Sequence, residues 1–301
     1  GKVSDLGDPF QIGQGMAGPT LMAWCKNEDY LKRYLPKLSS GEEIWCQLFS
    51  EPAGGSDLAA MRTKAERDGD DWIINGEKTW NTGIHKASHD LIFARTSGEA
   101  GSGLGISCFL VPYNADGFKV EEYLWTFNMP TDHAHVSLKN VRVPDSALFG
   151  GEGQGLQVVQ HFFNENRIRQ AASSLGAAQF CVNEAVRYAG ERKPFGKPLS
   201  TNQGIQFPLV ELQSTCEMLR ALIQKTAWQM DKYGAFSVSD KVSMCNYQAN
   251  RLCCDAADRA MQVFGGMGYS RYQPFEHIYR HHRRYRITEG AEEIQMRRVA
   301  G

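Results

Sequence analysis

Long apolar runs are missing from this chain. None approaches the ~20 residues that a bilayer-crossing helix needs, and residues 1–20 lack the charged-then-apolar order of a signal peptide. Charge of one sign is missing too: 33 basic residues stand against 34 acidic ones, a formal net charge of -1. There is no overall field to gather nucleic acid or an anionic membrane, so any polyanion site must be local. The eight cysteines, at 25, 46, 108, 181, 216, 245, 253 and 254, form no C-x-x-C pair and share no spacing with histidine that would close a metal site. They read as buried thiols of a reducing compartment. The glycine loop at 47–57 is not a G-x-G-x-x-G after a strand and before a helix, so it does not support a dinucleotide-binding Rossmann fingerprint. Internal repeats and low-complexity segments are absent.

The residues present are enough for a large core. With 301 residues the chain can form two or three units without disulfides or metals. Leu21, Met22, Trp24, Tyr30, Leu31, Tyr34 and Leu35 have helical spacing, which the sequence predicts to end at Pro36. From Cys46 the pattern shortens. Trp72-Ile73-Ile74, then Asn75-Gly76, then Lys78-Thr79-Trp80 reads as a hairpin, because Asn-Gly tolerates positive φ at both turn positions. Further strands are expected at 91–95, 106–111, 118–123 and 134–143, a density that suggests a barrel or sandwich. After the glycines at 150, 151, 153 and 155, helices take over. Ile205, Leu209, Leu212, Cys216, Leu219, Ile223, Thr226 and Met230 alternate steps of four and three. Val242, Cys245, Ala249, Leu252, Ala256, Ala260 and Val263 form a second seam with small residues for close approach, and an antiparallel bundle is expected.

Four stretches could carry chemistry. Gln47-Leu48-Phe49-Ser50-Glu51-Pro52-Ala53-Gly54-Gly55-Ser56-Asp57 offers backbone N–H groups and hydroxyls to a planar polar ligand or a pyrophosphate, or is a plain turn. In Glu191-Arg192-Lys193-Pro194-Phe195-Gly196 an Arg and an aromatic ring suit a phosphate and a base, or a charged helix end. The glycines of Gln262-Val263-Phe264-Gly265-Gly266-Met267-Gly268-Tyr269 suit a ligand cradle or a helix stop. In Thr288-Glu289-Gly290 a glycine directly after a carboxylate breaks the helix and lets Glu289 point into a cleft. From that stretch alone, the competing reading makes Glu289, Glu292 and Glu293 a solvated acidic helix start.

The order of these pieces is more specific than any one of them. Together with Lys78-Thr79-Trp80-Asn81-Thr82 and Val141-Arg142-Val143-Pro144, they resemble the acyl-CoA dehydrogenase family of flavoproteins over nearly the whole chain. The resemblance implies an α+β multidomain chain: residues 1–45 as the remnant of an N-terminal helical domain, 46–151 as a β-barrel-like middle domain, and 152–301 as a C-terminal four-helix bundle whose last helix is incomplete. It implies FAD, with Gln47, Phe49, Ser50, Gly55, Ser56, Trp80, Asn81 and Thr82 holding the flavin ring and ribityl chain. Arg192, Phe195, Gln203, Gln262 and Gly266 match residues that hold the adenine end for a neighbouring subunit of a tetramer or dimer. Asn164, Arg167 and Ser56 match contacts to the CoA thioester arm, with Gly290 beside them, and Glu289 matches the catalytic base.

The implied reaction is α,β-dehydrogenation of an acyl-CoA, with electrons passed to an electron-transfer flavoprotein. An oxidase of the same fold and a low-turnover flavin-bound DNA-binding relative are the alternatives, but apart from Arg280 to Arg286 no basic channel supports the last. Mitochondrial matrix, peroxisome and bacterial cytoplasm are all compatible with the thiols. Three departures from the family pattern stand out. Ala291 replaces a small hydroxyl residue expected to touch the flavin, His281 replaces an acidic residue, and His133 with His135 enriches a segment where a metal pair is not expected.

Overall fold

Short strands organise residues 45–149 into one sheet, continuously buried at 45–48, 90–95 and 106–111 and partly alternating at 71–79, and 3.6-residue periodicity organises most of residues 155–301 into helices. The computed structural model describes residues 10, 12–127 and 132–301. These divide into two compact units, one ending at Phe162 and one running from Phe163 to Gly301.

The first unit opens with helices α1 (Gly18–Trp24) and α2 (Glu28–Ser40). Asn27 starts α2 by accepting hydrogen bonds from the N–H groups of Asp29 and Tyr30 at 3.0 and 3.3 Å. Pro36 does not end this helix, as the sequence predicted, but lies inside it. The proline is exposed and so is Lys32 one turn back, so the carbonyl it deprives of a partner faces water, while Leu38 anchors the last turn in the core. The helix stops instead at Gly41, whose φ is 76°.

Strands β1 (Trp45–Leu48), β2 (Lys64–Asp68), β3 (Asp71–Thr79), β4 (His89–Arg95), β5 (Ile106–Pro112), β6 (Phe118–Tyr123), β7 (Ala134–Pro144) and β8 (Leu148–Phe149) form one mixed sheet. Its order is β6-β7-β3-β2-β4-β5-β8, with β1 parallel to β4. Leu48, Trp72, Ile74, Ile92, Phe109, Val111, Val136 and Leu138 fill the core on one face. The expected turn at Asn75-Gly76 is corrected here. The hairpin turns at Gly69-Asp70, where Gly69 has φ 64°, and β3 runs straight through 75–76 with a bulge against β7. A bulge uses the conformational freedom of glycine as well as a turn does.

Gly76 is needed for a second reason, since a Cβ there would lie 2.4 Å from the Thr63 hydroxyl and 2.7 Å from the Thr63 Cα. Gly76→Ala should therefore cost roughly 2–3 kcal/mol through overpacking, read as a lower midpoint in urea denaturation.

The second unit takes in most of α3 (Gly155–Glu191), then α4 (Gln203–Tyr233), α5 (Ser239–Phe264), α6 (Gly266–Tyr269), α7 (Phe275–Arg283) and α8 (Glu292–Ala300). Both predicted seams form: Leu209, Cys216, Leu219 and Ile223 of α4 pack with Cys245, Ala249, Leu252, Ala256 and Ala260 of α5. Ala171, Ala178, Cys181 and Ala185 of α3 and Phe275 and Ile278 of α7 complete that core. All eight cysteines are free thiols. Among the described residues no helix is long and apolar enough to cross a membrane.

Candidate active site

The segment between α7 and α8 makes a 3₁₀ turn at Arg284–Arg286 and then bends through two successive left-handed residues, Glu289 at φ 58° and Gly290 at φ 96°. Glycine is the natural second residue: a Cβ at 290 would sit 3.3 Å from Gln295 Nε2 and 3.4 Å from an Arg167 terminal nitrogen. A glutamate in the left-handed region costs on the order of 1 kcal/mol and persists only if its surroundings hold it. Three donors do so here. Arg167 gives two hydrogen bonds to the Glu289 carbonyl oxygen, from Nε at 3.0 Å and Nη2 at 2.7 Å, and Gln295 Nε2 gives a third at 2.9 Å.

The bend separates three acidic residues into three environments. Glu292 pairs with Arg251 and Arg286, whose guanidinium groups hold its carboxyl down at about 2. Glu293 is exposed. Glu289 is half-buried as a residue, but its Oε2 is out of contact with solvent and has no hydrogen-bond partner among the described residues. Burial pushes its carboxyl up to about 7, against the opposing pull of Arg167, a hydrogen bond from Asn166, and Arg169. A solvated helix start therefore describes Glu293 but not Glu289.

Helix α3 presents the residues that face this carboxylate. Arg167 is buried, its guanidinium lies over the Phe163 ring at 5.4 Å, and its Nη1 has no partner among the described residues. Burial brings it down to about 10, which leaves it charged at neutral pH. Asn164 is also buried; its Nδ2 donates to the Ala235 carbonyl at 3.3 Å and its Oδ1 has no partner among the described residues. Asn166 and Gln295 were not singled out from the sequence.

The first unit holds the remaining β-domain candidates. Trp80 protrudes at φ 63° just past the end of β3, with Asn81 buried behind it and Thr82 3.3 Å from His133 Nδ1. Asn81 donates to the Ala134 carbonyl at 3.4 Å, while its Oδ1 and the Nε2 of buried Gln47 have no partner among the described residues. Phe49 stacks on Phe93 at 4.3 Å. The Ser50 carbonyl accepts the Thr79 N–H at 2.9 Å, and Gly55 and Ser56 lie at the surface.

One pair pins this loop and was not anticipated. Lys78, fully buried, donates to Glu51 at 2.9 Å and to the Phe49 carbonyl at 3.1 Å, and Glu51 also accepts the N–H groups of Arg62 and Thr63. Burial brings the Lys78 ammonium down to about 8, and burial also works against the Glu51 charge, but Lys78 and the N–H donors win and hold that carboxyl below its usual value.

Comparison with known proteins decides which family this is. Residues 46–141 match the middle domain of acyl-CoA dehydrogenases and residues 153–301 match their C-terminal domain. The mitochondrial short-chain specific acyl-CoA dehydrogenase of Bos taurus is 35% identical, over 94% of this chain and 68% of its own length. The chain belongs to the acyl-CoA dehydrogenase family. The glutaryl-CoA dehydrogenase of Desulfococcus multivorans is likewise 35% identical, over 89% of this chain and 69% of its own. The crystal structure of an acyl-CoA dehydrogenase from Geobacillus kaustophilus superposes with a TM-score of 0.88 at 27% identity, covering 96% of this chain and 76% of that one.

In this acyl-CoA dehydrogenase Arg192, Phe195, Gln203, Gln262 and Gly266 are all exposed on the second unit. Phe195 stands clear of its surroundings at φ 54°. Stacking of Tyr188 on Phe264, with ring centres 4.1 Å apart, places the C-terminal end of α3 beside that of α5. Ala291 contributes its carbonyl to the first turn of α8, accepting the Ile294 and Gln295 N–H groups. His281 is buried with Nε2 3.1 Å from the Tyr285 hydroxyl. His133 and His135 have separate partners, Thr82 and Glu77, and no group of three or more candidate metal ligands exists among the described residues.

Proposed function

We propose that this enzyme removes two hydrogens from an acyl-CoA thioester to give the 2-enoyl-CoA, with Glu289 taking the proton from the α-carbon. The observation that carries this reading is the Glu289 carboxylate: buried, one oxygen unpartnered, poised near neutral pH and fixed on a backbone held by three donors. A carboxylate removed from water is a stronger base, and one whose basicity is centred near 7 is half ionised at the pH at which it must work. The α-proton of a thioester is weakly acidic, so charge on the carbonyl oxygen must be stabilised as the proton leaves. The Glu289 N–H makes no main-chain hydrogen bond among the described residues and can serve that oxygen.

FAD fits the β-domain residues. Among the described residues the buried Gln47 Nε2 and Asn81 Oδ1 each lack a partner, and the protruding Trp80 ring flanks Asn81 in the chain, a set suited to a planar heterocycle with donors and acceptors at its edge. In this reading Gln47, Phe49, Ser50, Gly55, Ser56, Trp80, Asn81 and Thr82 hold the flavin, while Arg192, Phe195, Gln203, Gln262 and Gly266 serve the adenine end of a partner subunit, for which their exposure speaks. When bound, FAD accepts the hydride from the β-carbon. In the same reading Asn164, Arg167 and Gly290 serve the CoA thioester arm, a role that the family order also gives Ser56.

The same reading divides the chain into an N-terminal helical segment at 1–45, a barrel-like middle domain at 46–151 and a four-helix bundle at 152–301, assembled as a tetramer or dimer. It makes an electron-transfer flavoprotein the electron acceptor.

Anaerobic titration with a panel of acyl-CoA thioesters tests the reaction: bleaching of the flavin absorbance by one chain class is expected, and a colourless protein that takes up no FAD would overturn it. Arg167→Met should lower kcat by about 10- to 100-fold, the usual scale for losing a group that orients a catalytic residue. It should also move the acidic limb of the pH–rate profile upward, because Arg167 is the strongest influence holding the Glu289 pKa down.

A further inference from the structure

Helix α5 buries an amide ladder that its apolar neighbours do not need. Asn246 and Asn250 lie one turn apart on one face, almost wholly shielded from solvent. Asparagine is a poor helix former, and burying a primary amide is unfavourable unless its hydrogen bonds are made. Here they are made with the frame of the Glu289 bend. Asn246 Nδ2 donates to the Arg167 carbonyl at 3.0 Å and to Gln170 Oε1 at 3.2 Å. Asn250 Nδ2 donates to Asn246 Oδ1 at 3.2 Å and to the Tyr285 carbonyl at 3.0 Å. Ser174 donates to Asn250 Oδ1 at 2.6 Å and lies 2.9 Å from His282 Nδ1, so that ring nitrogen carries the proton.

The ladder therefore grips α3 at Arg167, Gln170 and Ser174, one stripe of a helix, and grips the segment leading to Glu289 four residues before it. Arg167 in turn holds the Glu289 carbonyl. Between these two anchors the chain has little freedom, since the N–H groups of Ile287 and Thr288 both donate to the Arg284 carbonyl.

We infer that Asn246 and Asn250 are positioning residues for Glu289, fixing the two points, Arg167 and Tyr285, between which the carboxylate-bearing bend is suspended. This rests on the reading of Glu289 as the base. It differs from a purely structural role in what it predicts for the carboxyl itself. The charged side chains that act on Glu289 are Arg167 and Arg169, with Arg298 acting on Arg167. A displaced Arg167 stabilises the Glu289 carboxylate less, so its ionisation should move upward.

The test compares the FAD-loaded variants Asn246→Ala and Asn250→Ala with Leu252→Ala, a packing loss elsewhere on the same helix where the side chain is buried in the apolar core. Each is made with and without Glu289→Gln, and the difference in stability between the members of each pair, followed against pH, gives the Glu289 midpoint without any turnover. In both asparagine variants that midpoint should rise by about half a unit or more, a fraction of the effect of one nearby opposite charge. Turnover should fall about 10-fold or more with KM changed much less, as expected when orientation and not binding is lost. Leu252→Ala should lose stability with the midpoint in place. Should Asn→Ala prevent folding at either site, Asn246→Ser and Asn250→Ser, which retain a hydroxyl, serve for the same measurement. A midpoint unmoved in the asparagine variants, or moved equally by Leu252→Ala, overturns the inference. A raised midpoint in a protein that turns over no acyl-CoA supports it while removing the reaction proposed above.

Discussion

Glu289→Gln should lower turnover by on the order of 10² to 10⁴, the usual range for losing a general base, while leaving FAD bound and making the protein more stable at pH 8. The second effect follows from linkage. The folded carboxyl sits near 7 against an ordinary value of 4.5, so the folded state holds a proton that the unfolded chain has released between those two values. Stability from this group is fully present below about 4.5 and is lost as pH rises through about 7. A shift of that size corresponds to about 3 kcal/mol at pH 8, and glutamine, which cannot ionise, does not suffer it. Thermal unfolding of both proteins at pH 5 and pH 8 checks this: the gap should be small at the lower pH and wide at the higher one. A gap of the same size at both pH values would mean that the carboxylate is not desolvated.

Lys78→Met should be the most damaging single change in the β-domain loop. It leaves Glu51 buried with the N–H groups of Arg62 and Thr63, and takes the Lys78 donor from the Phe49 carbonyl. Removing one partner of a buried ion pair costs roughly 3–5 kcal/mol, because the stranded charge keeps its desolvation penalty. With Lys78 gone, burial governs Glu51 and raises its pKa, so the variant should weaken further as pH rises through that new value. Urea denaturation followed by tryptophan emission reads the loss. In the FAD-loaded enzyme, faster flavin release is expected as well, because in the reading proposed above the loop at 49–57 supplies Phe49, Ser50, Gly55 and Ser56 to the flavin. Lys78→Met combined with Glu51→Gln should recover part of the loss by removing the stranded charge.

Much of the fold was legible because it depends on local spacing. The steps of four and three in α4 and the small-residue face of α5 mark their buried sides without reference to any partner, and both pack as that spacing requires. Strands β4, β5, β6 and β7 were equally visible, whereas β1, β2 and β8 were not marked. Where local signals misled, a competing local term had won. Asn75-Gly76 signals positive φ, but a bulge satisfies that signal as well as a turn. Pro36 removes one helix bond, but at an exposed position water supplies the replacement. At the candidate site the sequence marked Glu289 by the glycine after it and by family order. It did not mark Asn166, Gln295, Asn246 or Asn250, because an asparagine or glutamine inside a helix looks the same in sequence whether it meets water or another helix.

Sequence by itself thus determined the family, the succession of sheet and helices, and the helix break at Gly290, all of which depend on residue type and order along the chain. Only the tertiary structure decided which of Glu289, Glu292 and Glu293 loses its water, that Lys78 and Glu51 meet in the interior, and that Arg167 reaches the Glu289 carbonyl across 122 residues of chain. The physical reason is that desolvation and charge pairing depend on which distant segments exclude solvent together. Three glutamates within five positions are chemically alike until packing assigns one to salt bridges, one to water and one to neither.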